Sequence, residues 1–81
     1  MRPESLGDVI ATRKLVRLDD PSCEVLVRLG KPQESGHGDY FCPIQITGLG
    51  NGLIYGLYGI DAFQALQLAM KFIGHRLHAL N

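Results

Sequence analysis

The chain has 81 residues, of which 46% are hydrophobic and 20% charged, with ten glycines, four prolines and two cysteines. That is the composition of one small globular domain, and it excludes a disordered or collagen-like chain. Eight basic residues balance eight acidic ones, which argues against a strongly basic nucleic-acid binder and against an acidic tail.

Residues 1–8, MRPESLGD, are polar, contain Pro3 and Gly7, and read as a flexible arm ahead of a single domain over 9–81. The arm has no apolar core of about 7–15 residues, so it does not read as a secretory signal. No stretch approaches the roughly 18 apolar residues of a membrane span. Cys23 and Cys42 are too few for a disulfide framework. A cytoplasmic protein with two buried, reduced thiols is the expectation.

Residues 9–18 (VIATRKLVRL) are rich in β-branched and apolar types and read as a strand. Asp20-Pro21 then suits the first two positions of a type I turn. From Cys23 to Leu29 the chain alternates, with Cys23, Val25, Val27 and Leu29 on one face and Glu24, Leu26 and Arg28 on the other. If Leu18 faces Cys23, then Val16 faces Val25 and Thr12 faces Leu29. On the outer side Leu15 meets Leu26 and Arg17 meets Glu24. Two positions fit poorly: Lys14 falls among the valines, and Arg13 faces Arg28.

Residues 30–39, rich in glycine and charge, read as a mobile loop. Tyr40 to Thr47 is the third strand, with Tyr40, Cys42, Ile44 and Ile46 on its apolar face. Pro43 cannot donate to a ladder and marks an edge or bulge. Asn51-Gly52 is a type I′ hairpin signal, and Leu53 to Ile60 is a fourth strand. Asp61 caps a helix, with Gln64 completing a capping box. That helix runs from Ala62 to Leu80 and is interrupted in propensity only by Gly74. The expected fold is α+β: a four-stranded antiparallel meander followed by one C-terminal helix packed on the sheet.

The helix carries two apolar stripes. Phe63, Leu66, Met70, Ile73 and Leu77 are expected to face the sheet, flanked by Ala65, Leu68, Phe72 and Ala79. The apolar arc is about twice the width that packing on one sheet requires, and Arg76 interrupts it. Outer-face Leu15, Leu26, Phe41 and Tyr58 add to the surplus. Large apolar patches are rare on monomers, so a two-fold homodimer is expected.

Candidate chemistry is sparse. Gly48-Leu49-Gly50-Asn51-Gly52 lacks the sixth-position glycine, the following helix and the Gly-Lys-Ser/Thr of phosphate loops. His75 and His78 stand one turn apart, and only His37 and Asp39 offer further metal donors. Neither cysteine has a histidine on its face for catalysis, and with Cys42 opposite Val27 the two lie beyond disulfide reach. Arg13, Arg17, Arg28, Lys31 and Phe41 gather on the first hairpin, but Glu24 sits among them. Nucleic acid is therefore a poorer match than a protein surface.

Val27-Arg28-Leu29-Gly30-Lys31-Pro32, Asp39-Tyr40-Phe41-Cys42-Pro43 and Gln45-Ile46-Thr47-Gly48 form one motif set. Tyr58-Gly59-Ile60-Asp61-Ala62-Phe63-Gln64-Ala65-Leu66, with Leu68-Ala69 and Ile73-Gly74, forms another. Together, over about residues 9–80, they resemble a family of small bacterial proteins classed as a domain of unknown function. That family often has Trp where this chain has Tyr40. The resemblance implies a small stand-alone bacterial domain and supplies no catalytic residue, metal or cofactor.

The expectation is a non-enzymatic interaction or regulatory module that self-associates. Its candidate interface residues are Leu68, Phe72, Leu15, Arg17, Leu26, Arg28 and Phe41. Two alternatives are a small metal-binding protein or enzyme using His37, His75 and His78, and a toxin-neutralising partner protein.

Overall fold

The computed structural model describes residues 5–48 and 52–78. Five strands and one helix follow in order: β1 (Val9–Val16), β2 (Glu24–Gly30), β3 (Gln33–Glu34), β4 (Tyr40–Thr47), β5 (Ile54–Gly59) and α1 (Ala62–His78). All pairings are antiparallel. β4 is central, with β2 and β3 along one edge and β5 along the other, and β1 lies outside β2. The architecture is therefore the expected α+β meander and C-terminal helix, with five strands rather than four. The additional strand, β3, lies in the segment expected to be a mobile loop. Its two polar residues carry no alternation to announce it, yet Gln33 pairs with Phe41 and Glu34 with Tyr40. Ser35 and Asp39 close its turn by a backbone hydrogen bond of 3.0 Å and a side-chain bond. Gly36 and Gly38 take positive φ on either side of His37.

The first hairpin is shifted by one residue from the expected register. Leu15 pairs with Val25, Lys14 with Leu26, Arg13 with Val27 and Thr12 with Arg28. Asp20-Pro21 does turn the chain as expected, and the Asp20 carbonyl accepts from Cys23 N–H at 2.9 Å. But Arg17, not Leu18, then bonds across to the Cys23 carbonyl at 3.2 Å. Leu18 is left in the loop, 83% exposed. The shift carries Leu15 to the inner face, against Val25, Val27 and Ile46. Lys14 now reaches Glu24 at 3.1 Å on the outer face, and Arg13 no longer opposes Arg28 but takes the inner-face position opposite Val27.

The inner face of β4 is as the alternation predicts, with Cys42, Ile44 and Ile46 buried. The β2–β4 register sets Leu29 against Ile44 and Val27 against Ile46, so Cys42 does not face Val27. Both cysteines are free. The Asn51-Gly52 turn and residues Ala79 and Leu80 lie outside the described residues. Just before that turn, Gly48 has φ 91°, and a Cβ there would stand 2.0 Å from the Glu24 carbonyl oxygen.

On the outer face, Leu6 is buried and its carbonyl lies over Gly30. The Asp8 carbonyl accepts from Lys31 N–H at 2.8 Å. The segment from Ser5 is thus laid on the sheet, and Pro43 beneath it is fully buried.

The helix begins as its capping residues predict. Asp61 Oδ1 accepts from Gln64 N–H at 2.8 Å, and Gln64 Oε1 accepts from Ile60 N–H at 2.8 Å. It lies over β4 and β5. Ala65 and Ala69 are its fully buried residues, packed against Cys42 and Ile44. Expected sheet-facing residues Phe63 and Met70 are instead 80% and 61% exposed. Small side chains decide the rotation. A Cβ on Gly59 would stand 2.6 Å from Ala65 N, so the helix approaches the sheet where Gly59, Ala65 and Ala69 permit it. Among the described residues no helix is long and apolar enough to cross a membrane.

Candidate interaction surface

Because α1 covers β4 and β5, the inner face of β1 and β2 extends beyond it as a ledge. Between ledge and helix runs an open groove of about 270 Å³. Ala11, Arg13, Val27 and Leu29 line it from the sheet, and Met70, Ile73, Gly74 and Leu77 from the helix. Its lining is apolar apart from Thr12 and Arg13. A Cβ on Gly74 would meet nothing, so the helix wall has an open notch there. Phe63 and Met70 are seven residues apart, two turns, and stand as a ridge along the exposed flank of the helix.

The expected interface residues do not form one surface. Leu15 belongs to the inner cluster around Val25 and Val27. Arg17 is turned onto its own loop, with Nε 3.0 Å from Asp19 Oδ1 and Nη2 2.5 Å from Asp19 Oδ2. That pairing holds the Asp19 carboxyl below its ordinary value and the Arg17 guanidinium above its own. Leu26 and Arg28 do share the outer face, opposite Thr47 and Gln45. Phe41 is on that face too, its ring centroid 5.6 Å from that of Tyr58. It lies four residues along β4 from Gln45, about 13 Å away. Phe72 packs into the core, its ring 5.6 Å from Tyr55, while Leu68 is partly exposed beside it. Arg76, the charge that interrupts the apolar arc, lies over these two rings at 5.6 and 5.9 Å. A guanidinium in that position closes the apolar edge of the core by cation–π attraction.

Sequence reasoning misses Phe63, Met70, Gly74 and Ala11 as surface formers and places Arg13 on the outer face of the hairpin instead of the inner one. The signal is present in the over-wide apolar arc, of which Leu66, Ile73 and Leu77 do pack on the core while Phe63 and Met70 do not.

The candidate metal ligands remain scattered. His37 is exposed at the β3–β4 turn and His75 is exposed on the helix, while the side chain of His78 lies outside the described residues. Among the described residues no group of three or more His, Cys, Asp or Glu is placed to hold a metal ion. Burial pushes the Cys42 thiol up to about 11, and its Sγ lies 3.3 Å from the Gly30 carbonyl oxygen. Cys23 Sγ donates to the Gly48 carbonyl at 3.6 Å. The Glu34 carboxylate accepts a hydrogen bond from the Tyr40 hydroxyl at 3.2 Å and holds that phenol above its ordinary value.

One family, described as "Domain of unknown function (DUF6968)", matches residues 11–81. No curated protein and no solved structure matches the chain.

Proposed function

The chain belongs to that family of unknown function, and from that premise we propose that it is a non-enzymatic interaction module that works by self-association. The observation that carries the reading is exposed apolar side chains. Phe63 and Met70, two turns apart on α1, are 80% and 61% exposed, and Ile60 and Ile10 are also more than half exposed. Monomeric proteins rarely leave large apolar patches open.

Cys42 itself is no candidate nucleophile: a nucleophilic thiol requires a lowered pKa, and burial raises this one. Light scattering on the purified chain at micromolar concentration tests the proposal. A mass of about twice 8.9 kDa is expected, and a clean monomer throughout the micromolar range would reject it.

A further inference from the structure

We propose that the segment Ser5 to Asp8 is an autoinhibitory strap. It is the chain's own occupant of a seat on the outer face that also takes an extended peptide of a partner through one aliphatic side chain. The proposal goes beyond self-association and does not depend on it. The seat lies where the β2–β4 ladder gives out, past the pair of Leu29 and Ile44. Its floor is Gly30 and Pro43. Pro43 has no N–H to leave unpaired, and Gly30 carries no side chain, so a second backbone can approach it closely. The strap uses that closeness: the Leu6 carbonyl lies over Gly30, the Leu6 side chain is buried, and Pro43 is fully covered.

The strap is separable from the fold beneath it. Leu6 belongs to neither core cluster, the one around Ile44 and Ala65 or the one around Val25 and Val27. Two irregular points stand between Leu6 and the regular ladder of β1: Gly7 at φ 63°, and the break in register between Val9 and Ala11. One backbone bond, from Lys31 N–H to the Asp8 carbonyl at 2.8 Å, ties the segment to β2, and Gly7 passes beside the Gln33 amide. Opening therefore gives up the burial of one leucine and one backbone bond, and leaves both core clusters intact.

The position of the seat indicates what opening does. Along β4, Pro43 is two residues from Gln45, which faces Arg28, and two from Phe41, whose ring packs on Tyr58. The closed strap separates the Arg28 end of the outer face from its aromatic end. Once it lifts, both ends flank one seat. A partner strand that sets an aliphatic side chain on Pro43 then offers a carboxylate to Arg28 and apolar surface to Phe41.

Amide hydrogen exchange and peptide titration, both followed by NMR on the full chain, test this. Lys31 N–H reports the strap through its bond to Asp8. It should exchange by local opening, at a rate little changed by low urea, while amides in the middle of β4 exchange only on global unfolding. Leu6→Ala should speed Lys31 exchange at least tenfold. The probe is the heptapeptide RPESLGD, the sequence of residues 2–8. It should shift the Gly30, Lys31 and Phe41 signals of a Leu6→Asp variant, whose strap is expelled by the buried charge. It should bind the wild type at least tenfold more weakly, because the closed strap holds the seat. The same peptide with serine in place of leucine should bind neither. If Leu6→Asp does not melt cooperatively, Leu6→Ala replaces it in the titration. Exchange of Lys31 in step with β4 would make the segment part of the cooperative fold and overturn the strap. Equal binding to wild type and variant, or none to the variant at millimolar peptide, would overturn the seat.

Discussion

Leu6 lies directly over Gly30: a Cβ built on Gly30 would stand 2.3 Å from the Leu6 carbonyl oxygen and 2.6 Å from Pro43 Cγ. The contact joins the segment before β1 to the outer face of the sheet and leaves no room for a side chain. Gly30→Ala should therefore be severely destabilising, because a backbone carbonyl cannot swing aside as a flexible side-chain tip can. Leu6→Ala should cost about 2 kcal/mol as the loss of a buried leucine. Chemical denaturation of both variants checks this, and a midpoint for Gly30→Ala equal to that of wild type would refute the packing.

Gly74 gives the opposite expectation. A Cβ there meets open space, so Gly74→Ala should stabilise the helix by about 1 kcal/mol. In a domain of this size that is a rise of about 4–8 °C in Tm. A fall in Tm on thermal unfolding would mean that the notch is filled in the folded protein.

Asp61 holds the first turn of α1 through its bond to Gln64 N–H. Asp61→Ala should lower stability by about 1 kcal/mol, and Asp61→Ser or Asp61→Asn should restore most of it. If Asp61→Asn were as damaging as alanine, the side-chain cap would not be the cause.

Cys42 makes stability depend on alkaline pH. Its thiol is raised from 9.0 to about 11 by burial, so the folded chain holds that proton more tightly than the unfolded chain. The resulting stability is complete below pH 9 and is lost as pH rises through about 11. The loss is on the order of 2 kcal/mol across that window. Cys42→Ala should flatten this part of the pH profile, measured by urea melts under reducing conditions. Thiol labelling should likewise modify half-buried Cys23 while Cys42 reacts only on unfolding.

Local chemistry made much of this protein legible from the chain alone. Alternation in Cys23–Leu29 and Tyr40–Thr47 identified the inner faces of β2 and β4, because a pleated strand buries every second side chain. Asp20-Pro21 and Asp61 with Gln64 marked a turn and a helix start through hydrogen bonds spanning only a few residues. What failed was whatever depended on a relation between elements. The first hairpin's register turned on whether Arg17 or Leu18 bonded to Cys23, a one-residue choice that exchanges the two faces of β1. Lys14 and Arg13, the two poor fits, pointed to that error.

The helix shows the same division more sharply. Its sequence determined that it exists, where it starts, and that it has more apolar surface than one sheet can cover. Leu66, Ile73 and Leu77 pack on the core as expected; what the sequence did not determine is the rotation of that face, because hydrophobic periodicity weights large side chains, while close packing selects small ones. Gly59, Ala65 and Ala69 bring α1 onto β4 and β5, and the price is Phe63 and Met70 in solvent. The surplus of apolar residues is thus written in the chain. Its position beside a groove was decided only when helix and sheet came together at their narrowest contact.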